Sequence, residues 1–93
     1  MYKLTPVKGK NKGKVVLYAL STCVWCKKTR ELLDKLGVEY SYVYVDLLEG
    51  DDNRLAKDEV RKWNPQCSFP TIVINDTVCI KGFDEESITK ELK

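Results

Sequence analysis

The chain has no histidine, so a metal site could draw on little besides its four cysteines. Cys23 and Cys26 form a close pair, but eleven residues separate Cys67 from Cys79, which is not the spacing of a second zinc knuckle. A structural zinc site is therefore disfavoured, as is a pair of inert core thiols. No apolar run is long enough to span a bilayer, and no signal peptide opens the chain. Four cysteines without a secretory signal point to a cytoplasmic thiol protein rather than a secreted disulfide framework. There is no internal repeat, and no low-complexity segment apart from a lysine-rich start. With 93 residues, 43% of them hydrophobic, the chain can fill one small core, hence one domain.

Acid is absent from the first fourteen residues. Lys3, Lys8, Lys10, Lys12 and Lys14 precede Val15, whereas the remaining residues carry eleven basic and fourteen acidic side chains. Such an arm suits an acidic partner or nucleic acid. Aromatic interleaving is missing beyond Tyr2, and Gly9 and Gly13 loosen the segment. Residues 1–14 are therefore expected to be a solvated, partly irregular arm, with 15–93 as the folded domain. Leu4 to Val7 has room for a short edge strand, where Pro6 is tolerated. No nucleic-acid partner is expected, and a monomer is the default.

The chain is organised around Ser21-Thr22-Cys23-Val24-Trp25-Cys26. An apolar strand, Val15 to Leu20, leads into it, continuous enough to be buried on both faces. A helix from about Cys23 to Leu36 follows, with Thr29, Leu32, Leu33 and Leu36 on one face and a stop at Gly37. Lys28, Arg30, Glu31, Asp34 and Lys35 fall mainly on its wet side. A Cys-x-x-Cys pair at a strand-to-helix junction reads as a dithiol redox centre. The unpaired N–H groups and positive end of the helix, with Lys27 and Lys28 nearby, favour the thiolate of Cys23. Cys26, one turn on, can close a disulfide with it. The expected chemistry is attack by Cys23 and resolution by Cys26.

The rest of the chain continues as strand Tyr40 to Val45, an acidic connection, and a helix from Asn53 to Trp63. That helix has Leu55, Ala56, Val60 and Trp63 as its apolar face. A hairpin follows, Ile72 to Ile74 and Thr77 to Ile80 about Asn75-Asp76, and then a helix from Glu85 to Leu92 capped by Asp84. Strand, helix, strand within about thirty residues implies a parallel βαβ unit.

The Cys-x-x-Cys pair, Phe69-Pro70-Thr71 before a hairpin and Gly82-Phe83-Asp84 before the last helix resemble the glutaredoxin family and its NrdH-like redoxin relatives. The resemblance implies an α/β thioredoxin fold: a four-stranded mixed sheet, β-α-β-α-β-β-α, with helices on both faces. It implies that Pro70 is cis and that Phe69 offers its backbone to an extended thiol substrate. Trp25, Phe69, Pro70, Gly82, Phe83 and Asp84 are the implied substrate-binding residues, and Cys23 and Cys26 the catalytic ones. No bound cofactor or metal is required. The implied partners are protein disulfides, with glutathione as co-substrate or a thioredoxin-reductase-like or ferredoxin-linked reductase as electron donor.

The pattern also departs from the family. Val24-Trp25 replaces Pro-Tyr, Lys81 replaces the first glycine of the Gly-Gly segment, and Leu20 stands where a lysine commonly meets glutathione's glycine carboxylate. Two alternatives remain: a metal or iron–sulfur carrier using the same thiolates, and a binding module acting through the lysine arm. Cys67, three residues before Pro70, can be a rim thiol open to oxidation or a plain packing residue. Cys79 reads as packing.

Overall fold

The computed structural model describes residues 2–92. In chain order the elements are β1 (Thr5–Val7), β2 (Val15–Ala19), α1 (Val24–Leu36), β3 (Tyr40–Tyr44), a 3₁₀ turn (Val45–Leu47), α2 (Gly50–Trp63), β4 (Thr71–Ile74), β5 (Val78–Lys81) and α3 (Glu85–Leu92). The sheet runs β1-β3-β2-β4-β5. Only β2 and β3 are parallel, and the remaining pairs are antiparallel. This is the thioredoxin-like architecture, with five strands rather than four.

Strand β2 holds the centre because every one of its residues is buried. Its pleat sends Val15, Leu17 and Ala19 into one core layer and Val16 and Tyr18 into the other. The first layer takes Cys26, Leu32 and Leu33 of α1 and Ile88 and Leu92 of α3. The second takes Ala56 and Val60 of α2. So α1 and α3 cover one face and α2 the other. Helix α1 stops where Gly37 turns left-handed, at φ 69°, and its N–H donates to the Asp34 carbonyl at 3.1 Å.

Several expected boundaries shift. Helix α2 starts at Gly50 rather than Asn53, with Asp51 and Asp52 inside its first turn, where the helix dipole favours acid. Leu55 is 40% exposed, so the inward stripe of α2 is Ala56 and Val60, with Trp63 packed partly buried against the same layer. The chain leaves β3 at Tyr44, and the buried Val45 opens the 3₁₀ turn.

The fifth strand comes from the lysine-rich start. Thr5–Val7 pairs with Tyr40–Tyr42 at the sheet edge. Lys10 then exchanges backbone hydrogen bonds with Gly37 and Glu39, both at 2.8 Å. Lys14 meets the hairpin turn: its N–H donates to Asn75 Oδ1 at 2.8 Å, and Asn75 N–H donates back to its carbonyl at 2.7 Å. Gly9 is required by this docking, because a Cβ there would lie 2.5 Å from the Val38 carbonyl carbon. Among the described residues no helix is long and apolar enough to cross a membrane.

Candidate active site

The loop from β2 to α1 turns sharply, with Cys23 N–H donating to the Leu20 carbonyl at 3.2 Å. Asp46, from the 3₁₀ turn, clamps this loop. Its carboxylate accepts the Ser21 N–H at 2.8 Å and the Ser21 hydroxyl at 2.5 Å. Those bonds, the hydroxyl first, hold the Asp46 carboxyl below its ordinary range.

Cys23 is the N-cap of α1, with extended backbone, so α1 proper starts at Val24. Its Sγ accepts the Cys26 N–H at 3.2 Å, one of the helix's otherwise unpaired donors. A serine or aspartate oxygen commonly fills this place; here a half-buried sulfur does. Cys26 lies beneath, 1% exposed, against the first core layer. Burial pushes its thiol up to about 12, with hydrogen bonding to Cys23 next among the causes. The pair is thus asymmetric: one sulfur at the surface in a helix cap, the other buried and kept as a neutral thiol.

The Phe69–Pro70 peptide is cis, and the Pro70 carbonyl accepts Gly82 N–H at 2.7 Å. Trp25, Phe69, Pro70, Gly82 and Phe83 together line a groove of about 230 Å³. Trp25 is 57% exposed and stacks on Phe83, with ring centroids 5.8 Å apart. Five of the six residues expected to bind substrate therefore meet in one groove. Asp84 does not line it. Its carboxylate caps α3, accepting Ser87 N–H at 3.1 Å and Ser87 hydroxyl at 2.8 Å, which lowers its pKa.

The proline loop is held from behind by Asn64, 1% exposed at the end of α2. Its amide donates to Ser68 Oγ at 2.8 Å and to Thr71 Oγ1 at 3.2 Å, and Thr71 donates on to the Ser68 carbonyl at 2.7 Å. Within this loop Cys67 has φ 52° and packs on the α2 side of the sheet, its sulfur 4.0 Å from the Lys57 carbonyl. Cys79 is half-buried on β5, opposite Val73, and burial raises its thiol pKa.

A second pocket, of about 320 Å³, has Cys23 in its wall and shares no lining residue with the groove of Trp25 and Pro70. Lys27, Arg30, Glu31 and Asp34 of α1 and Tyr44 of β3 line it with Cys23. Arg30 was expected on the wet side of α1, but it is built into a tyrosine ladder. Its Nε donates to Tyr40 OH at 3.3 Å and its Nη1 to Tyr44 OH at 3.1 Å, and the guanidinium lies 3.9 Å over the Tyr42 ring. Burial works against the charge, but the bonds to Tyr40 and Tyr44 outweigh it and keep Arg30 cationic. Tyr40 OH donates in turn to Asp34 at 2.8 Å. A clue was available in the alternation of Tyr40, Tyr42 and Tyr44, which puts three rings on one sheet face.

A half-buried cysteine capping a helix, a buried partner one turn on and a cis-proline sharing a groove with the intervening Trp25, on this sheet, define a thioredoxin-fold protein with a dithiol site. The family follows from comparison. A glutaredoxin family model matches residues 15–79, and the chain belongs to the glutaredoxin family. A glutaredoxin from Methanosarcina mazei Go1 is 53% identical, with 98% of this chain and 88% of that chain covered and a TM-score of 0.91. Methanosarcina acetivorans methanoredoxin is 51% identical, covering 90% of this chain and 88% of that one, with a TM-score of 0.88. An uncharacterized glutaredoxin-like 8.6 kDa protein in the rubredoxin operon of Clostridium pasteurianum is 32% identical, over 82% of this chain and 93% of its own length.

Proposed function

We propose that this chain is a dithiol–disulfide oxidoreductase that reduces protein disulfides. The Cys23 thiolate attacks a substrate disulfide, forming a bond to one substrate sulfur and releasing the other as a thiolate that takes up a proton. Cys26 then gives up its proton and attacks Cys23. The second substrate sulfur leaves, and Cys23–Cys26 closes as a disulfide. Two electrons pass to the substrate and the protein dithiol is oxidised. The observation that carries this reading is the position of Cys23, at the surface as the N-cap of α1, directly above buried Cys26. The groove beside it, walled by Trp25, Phe69 and Phe83, offers an extended peptide an apolar bed.

The reductant that restores the dithiol is a thiol of its own, either glutathione or the dithiol of a dedicated reductase. Leu20 supplies no cation for a glutathione carboxylate, which supports a dedicated reductase. A metal or iron–sulfur carrier would need ligands from outside this chain. Among the described residues, no group of three or more cysteine, histidine, aspartate or glutamate side chains is placed to hold a metal ion.

The test is a pair of variants. Cys23→Ser is expected to abolish disulfide reduction, and Cys26→Ser to accumulate a mixed disulfide with substrate, detected by intact mass. Retained two-thiol turnover by Cys23→Ser would overturn the assignment.

A further inference from the structure

The oxidoreductase reading leaves the second pocket unexplained. It shares Cys23 with the reaction but lies apart from the groove of Trp25 and Pro70. Lys27, Arg30 and Glu31 stand four, seven and eight residues beyond Cys23, so all share its face of α1. The charges differ in how they are held. Arg30 is fixed by Tyr40, Tyr42 and Tyr44, and Asp34 already accepts the Tyr40 hydroxyl. Asp46, near the mouth, is occupied by Ser21. Among the described residues Lys27 and Glu31 make no ion pair. The order away from the sulfur is therefore a free cation, a fixed cation, then a free anion.

We propose, resting on the oxidoreductase reading, that this pocket selects protein substrates carrying a carboxylate two or three residues from the disulfide cysteine. The spacing follows from chain geometry. A helix rises about 1.5 Å per residue, which puts Lys27 and Arg30 about 6 and 10 Å along the axis from Cys23. An extended substrate strand advances about 3.3 Å per residue, so its second and third residues from the attacked sulfur come level with them. A basic residue one step further out would meet Glu31. Lys27 and Arg30 are thus specificity-determining residues. Arg30 is held in place before substrate arrives, so little side-chain freedom is lost when it pairs.

The test uses symmetrical disulfides of short peptides that differ only at the second and third positions on either side of cysteine, bearing Glu, Ala or Lys. The fully reduced protein is mixed with each, quenched with acid and alkylated, and single-turnover rates are compared. The wild-type protein is expected to reduce the Glu peptide about three- to tenfold faster than the Ala peptide, and the Lys peptide more slowly still. The Glu-to-Lys rate ratio should fall as salt rises. In Lys27→Glu the ratio is expected to collapse or invert, and in Glu31→Lys to increase. Arg30→Gln should also lower it, but this variant disturbs the tyrosine ladder, so the surface substitutions decide the matter. Equal wild-type rates for the three peptides, or an unchanged ratio in Lys27→Glu, overturns the proposal alone. Failure of the wild-type protein to reduce any of the three peptides overturns the oxidoreductase reading as well.

Discussion

Asp46 and Ser21 are joined twice, through the serine's amide and through its hydroxyl, and this joins the end of the β3 segment to the loop that presents Cys23. The carboxylate is exposed, so the pair is worth about 1 kcal/mol or less. Its folded pKa lies below the ordinary 3.8. The contribution is therefore present above about pH 4 and is lost as the pH falls through the lower, folded value. Asp46→Ala is expected to be slightly less stable than wild type in urea at neutral pH. The two curves should converge in acid.

Cys26 provides the opposite sign. Its thiol rises from an ordinary 9.0 to about 12 in the folded protein, chiefly through burial. A raised value means that the folded state keeps its proton longer than the unfolded chain. The stability of the reduced protein is thus fully present below about pH 9 and declines as the pH climbs toward 12. Cys26→Ala should lose part of that alkaline slope in urea titrations of the reduced form. At neutral pH, iodoacetamide followed by peptide mass mapping should label Cys23 well before Cys26.

Asn64 supports the proline loop from a site closed to water. Asn64→Ala would remove its bonds to Ser68 and Thr71 and leave the buried Thr71 hydroxyl without its donor. The expected loss is about 2–3 kcal/mol, read from urea midpoints with an unchanged denaturant slope. The activity of the folded fraction should also fall, because Phe69 and Pro70 lose their backing.

Gly9 offers a local test of how the N-terminal segment is held. In Gly9→Ala the new methyl would collide with the backbone of Gly37 and Val38, so the Lys10 bridge must open. Hydrogen exchange at the Lys10 and Glu39 amides is expected to accelerate, with little change at the β2 amides.

The elements that follow a local rule were readable in the sequence. Strand β2 is apolar throughout because both faces are covered, and α1 and α3 show a clear inward stripe with a glycine stop and an aspartate cap. The dithiol and five of the groove residues were readable because each belongs to a short motif. Residues whose role depends on distant partners were not. Asp46 sits in an acidic connection that reads as solvated, and only folding brings it to Ser21. Arg30 has the spacing of a wet helix position, yet three tyrosines of a neighbouring strand enclose it. Strand β1 was readable as a short edge strand within Leu4 to Val7, but its partner was not, since what holds it is backbone pairing with β3.

That pairing also has a bearing on how the molecule keeps to itself. Without Thr5–Val7, the outer side of β3 would offer unbonded amides and carbonyls beside a row of tyrosines, a template for sheet-to-sheet aggregation. A three-residue strand interrupted by Pro6, which has no N–H to donate, satisfies that side and extends little invitation of its own. The lysines that follow add charge repulsion between copies. The first residues of this chain thus act less as a tail than as a guard.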